Sequence, residues 1–358
     1  MTEKSELFIA LEQIEKDKKI KKEDILMVVE NALVSAYKKH VGRNVNVEAR
    51  VDHKTGEMTA NVVKVVVKDV LNPLLEICVH DAKKLGQCTD IGSEVRMPLN
   101  TQDFSRIAAQ TAKQVIIQKI RESERDSLFY EMKEKVGQII NGVVYSKVNK
   151  SLIIDLGKTE AILPVSEQVY KEKFNIGQHI KTVIIRVEKK FKTSGIVLSR
   201  ANTMLVKRLF ELEVPEIYEK VVEIVDIVRE SGMRTKVSVL SHNPKVDPVG
   251  ACVGIRGARI KPIIDELNGE RVDLISFSLD STKYIKGALS PAKITSVTII
   301  SQEDKKAEVL VSDDMLSLAI GKNGHNVRLA AKLTGWHIDV KSDEQSKKKN
   351  NEEVEKIS

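Results

Sequence analysis

Two glycine-framed breaks are the part of this sequence whose residue types and spacing could do chemistry. Gly254-Ile255-Arg256-Gly257 follows the run Asp247-Pro248-Val249-Gly250-Ala251-Cys252-Val253, and Gly321-Lys322-Asn323-Gly324 follows Asp314-Met315-Leu316-Ser317-Leu318-Ala319-Ile320. The second break repeats the first at a constant offset of 67 residues. Paired glycines remove the side chains between two helix ends, so a sugar-phosphate backbone can approach the main chain and the first amides of the next helix. The chemistry implied is non-covalent capture of phosphates. Arg256 and Lys322 lie between the glycines, with Asn323 beside Lys322, and Arg259 and Arg328 open the helices that follow. Ile255, Val253 and Ile320 supply an apolar lining for bases. One Gly-x-x-Gly alone says little, because a chain of this length holds on the order of one or two by composition. The repetition carries the argument.

The elements around the two breaks repeat as well. With the same offset, Val249, Val253, Ile260 and Ile264 fall on Leu316, Ile320, Val327 and Ala331, so each break is expected between two helices with matching apolar faces. Upstream, residues 221–228 and 236–240 read as strands around Ser231-Gly232, and residues 294–300 and 307–311 read as strands around Glu303-Asp304. Closing strands are expected over 271–277 and 336–340. The order helix, two strands, helix, loop, helix, strand occurs twice, which is the type II arrangement of a KH domain. In such a module the loop holds a single strand of about four nucleotides.

Composition bounds the rest. A chain of 358 residues has room for two to four domains, and an aromatic content of 4% favours several small cores over one large one. Cys78, Cys88 and Cys252 form neither a CxxC pair nor an even disulfide framework, so free thiols in a cytoplasmic protein are expected. No apolar run reaches the roughly 18 residues a membrane helix requires, so no membrane partner is expected. The net charge is +7, and residues 131–200 hold nearly all the excess, with 13 Lys/Arg against 7 Asp/Glu. A basic excess confined to one small segment suits a polyanion-binding surface.

That segment reads as five strands, over 136–145, 151–155, 160–163, 179–187 and 195–199, separated by turn signals at Asn149-Lys150, Gly157-Lys158 and Asn175-Ile176-Gly177. Five short strands in this length suit an OB-type barrel, a scaffold that commonly binds single strands. Lys147, Lys150, Lys189, Lys190 and Lys192 fall at strand ends and loops. Tyr145 and Phe191 are the stacking candidates, so charge must carry more of the binding than aromatic stacking does. Gly157-Lys158-Thr159 is not a nucleotide-binding P-loop, because the required earlier glycine is replaced by Leu152 and no helix follows. Cys252 lies among apolar residues with no placed histidine, and the seven histidines show no metal-ligand spacing. Neither a catalytic set nor a cofactor or metal site is expected.

The first 130 residues read as an α+β unit. Leu7, Leu11 and Ile14 share a helix face over about 3–16, and a second amphipathic helix over 24–40 presents Ile25, Val28, Val29, Ala32, Leu33 and Ala36. Strands are expected over 45–51 and 58–67, around Lys54-Thr55-Gly56, and over 94–97, with a short helix near 81–85. A long helix over about 103–134 carries Phe104, Ile107, Ala108, Thr111, Val115 and Ile116 inward and ends in a charged connector. Residues 342–358, including Lys347-Lys348-Lys349, read as a disordered tail.

The run Asp247 to Gly254 with its Arg256-Gly257-Ala258-Arg259 continuation, Asn326-Val327-Arg328-Leu329-Ala330, and Gln110-Thr111-Ala112-Lys113-Gln114-Val115-Ile116 resemble the NusA family of bacterial transcription elongation, termination and antitermination factors. The resemblance spans about residues 1–341. It implies a multidomain α+β chain: an RNA-polymerase-binding domain over 1–130, an S1-type OB β-barrel over 135–200, and two type II KH domains over 201–277 and 278–341. It further implies RNA polymerase, nascent single-stranded RNA and other transcription antitermination factors as partners of a monomer that is not an enzyme. Acidic C-terminal repeats found in some members are not expected in this chain. An RNA-processing factor is the competing expectation, since phosphorolytic exonucleases also join KH and S1-type modules. Those enzymes place KH before the barrel and carry large catalytic domains.

Overall fold

The computed structural model describes residues 21–41, 45–52, 55, 57–86, 90–99, 101–189 and 194–342. The helix expected over 3–16, the tail beyond 342, Cys88, the turn residues Lys54 and Gly56, Lys190, Phe191, Lys192 and the side chain of Phe104 lie outside the described part. The chain divides into two compact units, Met1–Tyr130 and Glu131–Ser358.

In the first unit, α1 (Lys22–Val41) buries Ile25, Leu26, Val29 and Leu33. These pack with Ala49, Val51 and Ala60 of β1 (Val47–Val51) and β2 (Met58–Val67), and with Ala108, Ala112 and Ile116 of the long helix. β2 is the hub of the sheet. It pairs antiparallel with β1 and with β4 (Glu94–Pro98), and parallel with the short β3 (Glu76–Cys78), which leads into α2 (Val79–Lys84). The long helix α3 spans Thr101–Glu134.

The second unit opens with a closed barrel of β5 (Ile139–Val148), β6 (Ser151–Asp155), β7 (Glu160–Leu163), β8 (His179–Lys189) and β9 (Ser194–Ser199), in the spatial order β5-β6-β7-β9-β8. Its first strand begins at Ile139, three residues later than the sequence suggests, because Gly137 takes a positive φ of 80°. Val144, Leu152, Ile154, Leu163, Ile184 and Leu198 are buried, and β6 and β7 alternate buried with less buried positions as a filled barrel requires. On β8, Thr182, Val183 and Ile184 are all buried, since Val183 faces outward onto the next module's helix.

That module comprises α4 (Thr203–Glu213), α5 (Pro215–Tyr218), β10 (Val222–Glu230), β11 (Arg234–Ser241), α6 (Pro248–Val253), α7 (Ile260–Glu266) and β12 (Arg271–Ser276). The last repeats the plan: α8 (Ser281–Ala288), β13 (Ile294–Ser301), β14 (Lys306–Val311), α9 (Asp313–Ile320), α10 (His325–Thr334) and β15 (His337–Ser342). In each, the first two strands pair antiparallel and the second and third pair parallel. This is the type II KH topology.

The modules of the second unit are joined through buried charge. The Arg200 side chain is 3% exposed and bonds Glu172 of the barrel at 2.6 Å and Glu266 of α7 at 2.9 Å. Arg229 pairs with fully buried Glu270 and donates to the carbonyls of Arg200 and Asn202. Removing one partner of such a pair costs about 3–5 kcal/mol, because the other charge is left buried. The two KH modules meet across the sheet of the first. Residues Thr235 to Val239 of β11 are buried on both faces, one covered by the module's own helices and the other by α10. Lys236 is fully buried there, bonding Asp273 at 2.9 Å and the carbonyl of Ser290 at 3.0 Å, and burial lowers its pKa against the opposing pull of Asp273.

Candidate nucleic-acid interface

Each break forms because a short helix ends in a glycine that no other residue could replace. Asp247 caps α6 by accepting from the amides of Val249 and Gly250, and Pro248 takes the first helical position, where its missing N–H costs nothing. The helix stops at Gly254, with φ 73° and ψ 171°. In the second copy Gly321 stops α9 with φ 75° and ψ 167°. This region of backbone space is essentially open to glycine alone. The next turn holds Arg256 at φ 55°, ψ 27° and Asn323 at φ 54°, ψ 26°, both left-handed. Gly257 and Gly324 follow with φ of 80° and 72°. The two loops are the same backbone built twice.

Their side chains point to solvent. Ile255 is 87% exposed, and Arg256, Lys322 and Asn323 are exposed. Among the described residues Arg256 and Lys322 carry no ion pair. A β-carbon at Gly257 would come no closer than 3.9 Å to another atom, and at Gly324 nothing lies within 4 Å. Backbone and cations are thus open to an incoming phosphate at the second glycine of each loop. Ile320 is 36% exposed and Val253 half-buried, leaving a partial apolar surface beside each loop.

Arg259 and Arg328 do not stand as equivalents. The 67-residue repeat sets Arg259 against Asn326 and Lys261 against Arg328. Arg259 turns back into its module, donating to the carbonyl of Ala251 at 2.6 Å and to Glu216 at 2.8 Å. Burial raises the Glu216 pKa, but its backbone hydrogen bond and Arg259 outweigh this and hold the carboxyl below the ordinary range. Arg328 reaches across to the first KH module and bonds Glu230 at the end of β10 at 2.9 Å, while His325 bonds the other oxygen of that carboxylate. Glu230 is pushed up by burial and pulled further down by Arg328 and His325, ending below the usual carboxylate range. Local spacing could not expose either partner, since they lie 43 and 98 residues upstream.

On the barrel, Lys147 and Lys150 share the β5–β6 hairpin and are exposed; Lys150 adopts a φ of 67° in the turn. Lys189 is exposed at the end of β8. Tyr145 is 61% exposed at the bulge of the β5–β6 ladder. Tyr170 is 99% exposed in the segment between β7 and β8, a stacking candidate that a strand-based reading passes over because it belongs to no strand. Cys252 is fully buried, and burial with nearby Glu216 pushes its thiol up to about 12, which makes it a packing residue. Among the described residues no His/Cys/Asp/Glu cluster is arranged for a metal ion, and no helix is long and apolar enough to cross a membrane.

Comparison with known proteins places these modules. Family models match residues 6–126 as "NusA N-terminal domain", 133–200 as "S1 RNA binding domain", 200–277 as "NusA-like first KH domain" and 281–348 as "NusA-like second KH domain". The transcription termination/antitermination protein NusA of Halalkalibacterium halodurans is 44% identical over 96% of this chain and 89% of its own length. Its Bacillus subtilis namesake is 44% identical over 95% and 91%. The solution structure of the N-terminal domain of the B. subtilis protein, 40% identical, covers 34% of this chain and 97% of its own, with a TM-score of 0.30.

Proposed function

The chain belongs to the NusA family, and we propose that it is a non-catalytic transcription elongation factor that binds RNA polymerase through residues 1–130 and holds nascent single-stranded RNA in its KH loops and barrel, modulating pausing, termination and antitermination. The observation that carries this reading is the duplicated loop: the same strained backbone, built twice, each with an unpaired cation facing solvent. Strained backbone persists where its surroundings over-determine it, and it concentrates at binding sites. The near-even charge of residues 1–130, 21 Lys/Arg against 20 Asp/Glu, suits a protein partner better than RNA. The basic excess of residues 131–200 supports a contribution of the barrel to the RNA path.

The test is a Gly257→Asp, Gly324→Asp double variant of the full chain, measured for affinity to single-stranded RNA across a salt series, beside a melting curve and a polymerase pull-down. Each substitution puts a carboxylate where a phosphate should lie. RNA affinity should fall, and the salt dependence should become shallower by roughly 0.7 for each phosphate no longer neutralised. Polymerase binding should persist. Unchanged RNA affinity in a folded double variant would leave the barrel as the main RNA site. Phosphate-dependent RNA degradation above background by the purified protein would instead favour a processing enzyme.

A further inference from the structure

The residue five positions after the first glycine of each loop makes the same connection in both copies, although its chemical type differs. In the first, Arg259 donates to the carbonyl of Ala251, three residues before Gly254. In the second, Asn326 donates from Nδ2 to the carbonyl of Leu318, three residues before Gly321, at 3.3 Å, and to those of Ala319 and Leu289 at 3.1 and 3.0 Å. Ala251 and Leu318 are related by the 67-residue repeat. The same residue also occupies the space a side chain on the first glycine would need. A β-carbon at Gly254 would lie 2.8 Å from Cγ of Arg259, and one at Gly321 would lie 2.8 Å from Cβ of Asn326. In both copies the start of the second helix is therefore fastened back to the end of the first, across the loop.

We propose that Arg259 is a positioning residue of the first loop, with Asn326 its counterpart in the second, and that neither is a phosphate ligand. The physical need is plain. A non-glycine residue in the left-handed region costs roughly 1–2 kcal/mol, so Arg256 and Asn323 stay there only while both ends of the loop are held. Arg259 holds one end through the carbonyl of Ala251 and commits its charge to Glu216. Both N–H bonds of its Nη1 are committed to these two acceptors and Glu216 answers its charge, so Arg259 is not the free cation that Arg256 is. Asn326 is fully buried and does the same work with no charge at all.

This inference rests on the reading of the loops as RNA clamps, and the experiment separates the two. Arg259→Asn, which copies the second module, Arg259→Leu, which cannot donate, and Arg256→Ala are made in the full chain. RNA affinity is measured across a salt series, and amide hydrogen exchange is followed over residues 254–258. Arg256→Ala should flatten the salt slope by roughly 0.7, because one phosphate goes unneutralised. Arg259→Leu should weaken binding about tenfold and raise exchange in the loop, whereas Arg259→Asn should keep the wild-type slope, an affinity within about threefold and a protected loop. Arg259→Asn matching Arg256→Ala in slope, or matching Arg259→Leu in affinity, would overturn the proposal. So would an Arg259→Leu loop as protected as wild type. If none of the three variants moves RNA affinity, the clamp reading fails, and exchange alone decides the brace. Should Arg259→Leu not fold, the slope and affinity of Arg259→Asn decide it.

Discussion

The two KH loops superimpose in backbone angles to within a few degrees at their first glycine and at the left-handed residue, yet their charges are disposed differently. The first is electrically self-contained: Arg256 and Lys261 are exposed, and Arg259 is answered by Glu216 from the same module. The second is coupled to its neighbour, because Arg328 and His325 are both held by Glu230 of the first module, while Lys322 is exposed with no ion pair among the described residues. Duplication has kept what the backbone requires and left the side chains to be reassigned by whatever packs nearby. The glycines show the same division. The first of each pair is fixed by local sterics, whereas the second is surrounded by open space.

The sharpest way to break this comparison is through those glycines. Gly321→Ala forces a side chain into backbone space reserved for glycine and within 2.9 Å of the backbone nitrogen of Asn326, so it should cost about 3 kcal/mol or more. Gly324→Ala meets nothing within 4 Å and bears only the left-handed penalty, about 1–2 kcal/mol. Urea midpoints of the two variants should differ in that order. Equal midpoints would mean that the two positions are not sterically distinct.

What the sequence made legible follows the range of the forces involved. The loops, their flanking helices and the barrel strands rest on glycine placement and on periodicity within ten residues, and strands β6 and β7 lie where the pattern sets them. β3 escaped because three residues paired parallel to β2 leave no alternation to detect. β5 runs past Tyr145 to Val148 through a bulge, an irregularity no hydropathy pattern encodes. Lys236 looks like a solvent-facing interruption in an apolar strand, and only the second module covering that sheet explains its burial. Arg259 and Arg328 read alike from position alone, because their partners come from distant segments. The repeat itself held the missing clue: aligning by the offset separates Arg259 from Arg328 before any partner is known.

A smaller effect should appear where the modules are coupled. Glu230→Gln removes the carboxylate that holds Arg328 and His325, so stability should fall by about 1 kcal/mol, the scale of a partly exposed charged hydrogen bond. The released Arg328 becomes available to RNA phosphates, and the salt slope should steepen by roughly 0.7. Since Lys261 is exposed at the matching place in the first module and has no ion pair among the described residues, Lys261→Gln should flatten the slope by a similar amount. A Glu230→Gln slope equal to wild type would show that Arg328 faces away from the RNA path.

The smallest effect is one of pH. Glu230 has a folded-state pKa below the ordinary carboxylate range, despite burial that pushes it upward. Its contribution to stability is therefore fully present above the unfolded value, about 4.3, and is lost as pH falls through the lower folded value. Wild type and Glu230→Gln should thus differ in denaturation midpoint at pH 6 and converge only as pH falls through that lower folded value. Glu216 is shifted in the same direction, so the Arg259 brace should lose its carboxylate partner over a similar acid range. The brace keeps its bond to the carbonyl of Ala251, which does not titrate, so protection of the first loop should outlast the tie between the modules as pH falls. Hydrogen exchange over residues 254–258 and around His325, compared at pH 6 and pH 3.5 after correction for intrinsic rates, reads the difference. Simultaneous loss of both would mean that Glu216, and not the carbonyl, holds the first loop in place.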